Sequence, residues 1–345
     1  MKTKHYCGLD TVKLICAVLI VLIHIPPFES VSHTLNALTV NYICRIGVPF
    51  FFITSGFLLF QKSDGKLPPR SAVVKYIKRI LKLYIIWSAI YFPFTILQMI
   101  QSESAVRVFL NWLKNMIFSA GYGVLWYLPA TAAAVMVVCL LLKHGMNING
   151  VIAVCMGLYL IGLLGQSYYG LIRPFVSNAP FWTAIKTLYH LIGTTRNGIF
   201  EGALFVAMGA KVAGEKSMPK CSTSVLGLLV SMVLLLGEVL LVSQKGWRLG
   251  YDMYLFLVPC AYFLLKVALC LPDMNGRICK LARNYSSLIY FSHMLAAEFL
   301  WMLPLSTPLA SPAAFAVVLA ATLLLDSAIL FLSHRRCGHI FKNLY

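Results

Sequence analysis

Val12-Lys13-Leu14-Ile15-Cys16-Ala17-Val18-Leu19-Ile20-Val21-Leu22-Ile23-His24-Ile25-Pro26-Pro27-Phe28 is an apolar run interrupted by two basic side chains, Lys13 and His24. A membrane-crossing helix needs about 17–25 such residues, so the run reads as a first span. Eleven helical steps of ~100° return to within ~20° of the starting direction, which puts Lys13 and His24 on one helix face. At ~1.5 Å per residue they stand ~16 Å apart along the axis, one at the membrane edge and the other well across. An imidazole inside the hydrocarbon is costly, and such a residue reads as a functional site.

The rest of the chain repeats this pattern. Of its 345 residues 60% are hydrophobic and only 12% charged, about half the charged fraction of a soluble domain, and its mean hydropathy is +0.81. Ten runs are long enough to span: 12–28, 40–60, 81–100, 123–142, 149–166, 197–213, 223–243, 252–271, 285–303 and 311–332. They leave little room for a water-soluble domain. The expectation is a single all-α polytopic bundle over residues 1–345, in a cell membrane. No small-residue cleavage site follows the first run, so it reads as a retained helix.

Charge gives the orientation. With the N-terminus inside, seven cations fall outside (Arg107, Lys114, Arg173, Lys186, Arg196, Lys245 and Arg248), and Arg45 and Lys266 fall within or beside spans. The other twenty of the 29 Lys and Arg lie inside, as the positive-inside rule requires. Both termini are therefore expected in the cytoplasm. The same distribution accounts for the net charge of +18 without nucleic acid. The ten cysteines are scattered, with no C-x-x-C pair, so neither a disulfide framework nor a metal site is expected.

Position along each span converts to depth. His24, Arg45, Glu201, Glu238 and Glu298 fall in outer halves; Lys13, Lys266, Asp326 and His293 fall toward the inside. Each charge either snorkels or pairs for packing, or belongs to a polar path through the bundle. For Lys13 and Lys266 the two readings stand level. His24 and Glu201 are too short to snorkel far, which favours function. The aromatic connection 167–196, with Tyr168, Tyr169, Phe181 and Trp182, reads as an interfacial belt or an acceptor-binding lid. Lys75, Lys78, Arg79 and Lys82 are spaced i, i+3, i+4, i+7 and form a basic stripe. That stripe suits a polyanionic ligand and equally an ordinary positive-inside collar.

Several segments together resemble the acyltransferase-3 family of membrane acyltransferases. Gly8-Leu9-Asp10, Lys13 and His24 resemble its first-helix Arg-x10-His motif, with Lys in place of Arg. Phe50-Phe51-Phe52-Ile53-Thr54-Ser55-Gly56-Phe57 is similar to its second-helix signature, and Lys78-Arg79-Ile80-Leu81-Lys82 to its cytoplasmic basic motif. Leu125-Trp126-Tyr127-Leu128-Pro129 and Ser287-Leu288-Ile289-Tyr290-Phe291-Ser292-His293 resemble two later motifs. A narrower resemblance, through Tyr159-Leu160-Ile161-Gly162-Leu163 and Thr195-Arg196-Asn197-Gly198-Ile199-Phe200, is to the membrane domain of the vancomycin-resistance serine racemases. Those proteins carry a soluble pyridoxal-phosphate racemase domain after the membrane part; no racemase chemistry is expected of the residues read here.

The family resemblance implies transfer of an acyl group, usually acetyl, from cytoplasmic acyl-CoA to an acceptor at the outer face, often a cell-surface glycan. On that implication Lys13, Lys78, Arg79 and Lys82 meet the CoA phosphates, and His293 is a second polar site on the donor path. His24 acts either as general base, for which a reference pKa near 6.5 is suited, or as an acyl carrier. Glu201 orients or polarises His24; Arg45 pairs with Glu201 or, as the second reading, stabilises the developing oxyanion; Ser55 and Gly56 permit close helix packing; Trp126 and Tyr127 sit at the interface. No tightly bound cofactor is expected. The competing reading is an amino-acid (serine-type) transport domain.

Overall fold

The computed structural model describes residues 6–176, 194–217, 220–272, 276–303, 309–335, 338 and 340–345, and among them all regular structure is helical. Lys2, Lys4, Phe181, Trp182, Lys186, Arg336 and Cys337, which enter the sequence argument, lie outside the described residues. Among the described residues six helical segments are long and apolar enough to cross a membrane: Cys7–His24, His33–Ser63, Arg70–Gln101, Gly123–Lys143, Cys221–Lys245 and Ser311–Ser333. Ile148–Leu164 and Leu257–Cys270 are shorter apolar helices. The chain divides into two compact units, one of residues 1–51, 218–230 and 259–345 and the other of residues 52–217 and 231–258.

The first unit is organised around α1 (Cys7–His24) and a late helix, Gly276–Trp301. We number the intervening helices α2 (His33–Asn41), α3 (Gly47–Phe60), α4 (Arg70–Gln101), α5 (Ala105–Phe118), α6 (Tyr127–Lys143), α7 (Ile148–Leu164), α8 (Tyr169–Val176), α9 (Ala203–Ala213), α10 (Cys221–Lys245) and α11 (Leu257–Cys270). Gly276–Trp301 is then α12, and Ser311–Ser333 is α13. α1 stops just before Pro26-Pro27, as the restriction on residues preceding proline requires. It lies against α12 along its length. Cys7 is disulfide-bonded to Cys279, with Cα atoms 5.1 Å apart; Arg283 Nε donates to Asp10 Oδ2 at 3.2 Å; and the His24 and His293 rings meet at 5.2 Å. These contacts rise in the same order along both chains, so α1 and α12 run parallel. A side chain at Gly8 would collide with Ala268 of α11, which explains why the first turn of α1 is glycine. The turn after α1 is pinned to the start of α13: Ser30 N donates to Ser311 Oγ at 2.8 Å, and Ser311 N to Ser30 Oγ at 3.2 Å.

The disulfide corrects the expectation drawn from cysteine spacing. Cys7 and Cys279 are 272 residues apart, a separation at which a pairing has no local signature.

In the second unit α6 and α9 pack on each other and on α7. The Ser55-Gly56 step of α3 crosses α9 closely, as expected. A Cβ at Gly56 would strike the Val206 carbonyl and stand 2.8 Å from Val206 Cα; one at Gly209 would strike Ile53 O and stand 2.6 Å from Phe57 N. Ser55 Oγ meets Tyr127 OH at 2.9 Å. Buried Glu238 is fully engaged, its Oε1 accepting from Tyr168 OH at 2.7 Å and Leu255 N at 2.6 Å, and its Oε2 from Phe256 N at 2.8 Å. Burial, and then the adjoining Glu238 carboxylate, push the Tyr168 phenol above its ordinary range.

Candidate functional site

The last turn of α1 and the middle of α12 bring two imidazoles together in the first unit. His24 is half-buried and His293 has no exposure. Their ring planes meet at 77°, edge toward face. Each ring is fixed by the backbone of its own helix: His24 Nδ1 lies 3.1 Å from Ile20 O, and His293 Nδ1 lies 2.8 Å from Ile289 O. A carbonyl oxygen can only accept, so Nδ1 carries the proton in both. Nε2 of the neutral ring is then a lone pair. For His293 that nitrogen is buried without a hydrogen-bond partner, an uncommon condition in a folded protein that calls for an explanation such as a bound molecule or a chemical role.

One residue before His293, Ser292 Oγ donates to Asp326 Oδ1 on α13 at 2.7 Å, inside the core. Asp326 is fully buried, and its Oδ2 has no partner. The sequence reading placed both His293 and Asp326 toward one side of the bundle without linking them; nothing in their spacing predicts the Ser292 bridge.

Lys13 lies on the same helix as His24, half-buried, with its Nζ 6.0 Å from the centre of the Phe51 ring. Phe51 in turn touches Tyr290 of α12 at 6.1 Å. Asp10, part of the motif quoted with Lys13, serves as the partner of Arg283. Arg45 hydrogen-bonds to α2, donating from Nε to Val40 O at 2.9 Å and from Nη2 to Asn41 Oδ1 at 3.4 Å.

Lys78, Arg79, Lys82 and Glu201 belong to the second unit. The three cations are exposed on α4, together with Lys75. α4 begins at Arg70, eleven residues before the predicted span, so the stripe is helical throughout. Glu201 is 1% exposed and lies in a π-helical turn, Gly198–Gly202. Asn197 caps that turn, its Oδ1 accepting from Ile199 N and Phe200 N at 2.9 and 3.0 Å. Single π-turns of this kind recur at functional sites. Tyr127 bonds Ser55, and Trp126 lies beneath the Arg196 guanidinium at 4.7 Å. No cluster of three or more metal-ligating side chains occurs among the described residues.

Comparison with known proteins places this geometry in context. The acyltransferase-3 family model, described as an acyltransferase domain, matches residues 7–329. A serine/alanine racemase of Enterococcus gallinarum is 32% identical over 274 residues, 78% of this chain and 37% of that protein. An amino-acid racemase of Enterococcus faecalis is 27% identical over 269 residues, 78% of this chain and 36% of that protein. The chain thus spans little more than a third of the length of these relatives. No solved structure matches.

Proposed function

The chain belongs to the acyltransferase-3 family, a family of membrane acyltransferases, and on that premise we propose that it moves an acyl group, acetyl in the first instance, from cytoplasmic acyl-CoA to a hydroxyl of a cell-envelope glycan at the outer face. The observation that carries this reading is the His24–His293 pair, with both Nδ1 atoms committed to backbone carbonyls and Nε2 left as the basic atom. In the reaction His24 Nε2 takes the proton of the acceptor hydroxyl while that oxygen attacks the thioester carbonyl. The carbonyl carbon–sulfur bond breaks, and the CoA thiolate leaves and takes up the proton that His24 collected. The cationic stripe Lys78, Arg79 and Lys82 is suited to the CoA phosphates; Lys13 is assigned to the donor as well. His293 lies beside His24 and is assigned to the donor path.

The topology of this reading has ten spans with both termini in the cytoplasm. The parallel run of α1 and α12 supports it. If both helices cross the membrane, an odd number of crossings must separate them. The four long apolar segments between them would make them antiparallel, whereas the seven spans read from the sequence make them parallel.

The test is incubation of the purified protein with labelled acetyl-CoA and an envelope-glycan acceptor. Label is expected on the glycan, and it should disappear in His24→Ala without loss of expression or membrane insertion. Normal transfer by a well-folded His24→Ala protein would sink the assignment.

A further inference from the structure

The second unit holds a cavity of about 830 Å³, within the usual range for small-molecule sites. Its described lining includes Asn197, Gly198 and Phe200 of the turn that carries Glu201. Part of its wall is built by α5, which lies between the apolar runs 81–100 and 123–142. Val108, Asn111, Trp112 and Asn115 of α5 line the cavity. They recur at i, i+3, i+4 and i+7, so one face of the helix is turned inward. Val106, Leu110 and Leu113 on its other faces are exposed apolar residues, so α5 presents an apolar exterior and an amide-bearing interior.

Four aromatic rings line the same space, Trp112, Tyr122, Trp126 and Phe200, and three of them are held by another ring. Trp112 packs against Phe92 at 4.8 Å, Tyr122 stacks on Tyr91 at 4.1 Å and 9°, and Trp126 meets Phe52 at 6.0 Å. Between them stand the amides Gln98, Asn111 and Asn115, each able to donate and accept at once. The described lining contains one charged residue, Arg196, which is already paired with Asp252 at 3.4 Å.

We infer that this cavity is a binding site for a neutral saccharide. The C–H faces of a pyranose ring are apolar with slightly positive hydrogens, and an aromatic face is the complementary surface. Its hydroxyls donate and accept, which matches side-chain amides better than fixed charges. A free amino acid fits less well, because its ammonium charge would find no carboxylate: no Asp or Glu occurs among the described lining residues. The identification of this saccharide as the acyl acceptor rests on the function proposed above; binding itself does not.

The test uses the full-length protein in a detergent without a sugar headgroup, with N,N′-diacetylchitobiose as probe and no acyl donor. Saturation-transfer NMR should show saturable transfer, strongest on the ring C–H protons. Gly123 lines the cavity, and a Cβ there meets nothing within 4 Å, so Gly123→Leu fills the space without a clash at its Cβ and should abolish the signal. Trp112→Ala, as a second variant, should weaken binding roughly 2- to 10-fold, as loss of a stacking contact does. Absence of transfer to the probe, binding unchanged in both cavity variants, or displacement by millimolar L- or D-serine would each overturn the inference. Saccharide binding in a protein with no transferase activity would count against acyl transfer and leave the site standing.

Discussion

Replacing Gly209 by Ala tests the crossing of α3 and α9 on which the second unit is built. The new methyl would strike Ile53 O and stand 2.6 Å from Phe57 N, both backbone atoms that cannot rotate away. Restoring the 3.4 Å of ordinary contact requires the helices to part by about 0.8 Å or more. Overpacking of this kind costs typically ~1–3 kcal/mol, against a gain of up to ~1 kcal/mol from exchanging Gly for Ala in a helix interior. The net is a loss of roughly 1–2 kcal/mol, equivalent to a fall of about 1–3 °C in the unfolding midpoint for a chain of 345 residues. Gly56→Ala should behave alike. The double variant should lose less than the sum, because one displacement makes room for both methyls. Gly157→Ala and Gly237→Ala, where a Cβ meets nothing within 4 Å, should be neutral or stabilising. The assay is the thermal midpoint of the detergent-purified protein at one scan rate. Equal stability of Gly209→Ala and Gly157→Ala would refute the close-approach argument.

Glu238→Gln should lose roughly 2–3 kcal/mol, because either orientation of the amide turns its NH2 toward a backbone N–H that the carboxylate now receives; an unchanged denaturation midpoint would contradict this. The triple variant Lys78→Ala, Arg79→Ala, Lys82→Ala should raise KM for acyl-CoA at least ~10-fold with kcat little altered, the pattern of lost uniform binding. A fall in kcat with unchanged KM would remove the stripe from the donor site. Cys7 and Cys279 should resist thiol labelling in denaturant until a reductant is added, whereas Cys221, exposed and free, should label at once. Immediate labelling of all three would show the link to be open.

The features carried by long apolar runs were legible in the sequence, and those carried by distant pairs were not. The runs at 12–28, 123–142 and 311–332 correspond closely to α1, α6 and α13. α5 escaped because Arg107, Asn111, Lys114 and Asn115 break its hydropathy; its signal is the period of its apolar face. The placement of His24 and Lys13 on one helix followed from spacing alone. The approach of His293 to His24 did not, since 269 positions separate them and only the order of motifs connected them. Asp10 resembles part of a motif, yet its role depends on Arg283, 273 positions away and one of the twenty inside cations. The same limit hid the bond of Tyr127 to Ser55.

The parallel α1–α12 pair also sets the order in which the protein can be completed. α1 leaves the ribosome first, but Arg283 lies 273 positions beyond Asp10, and Cys279 and His293 are equally late. At ~5–20 residues per second, the first helix waits roughly 15–55 s in the membrane before its counter-charge exists. Through that interval an acidic residue destined for the interior has to be tolerated without its arginine. A chain interrupted anywhere before α12 therefore strands its N-terminal helix, however complete the second unit has become. Quality control acting on such fragments would find its target in α1 and its cause 273 positions later, in the missing α12.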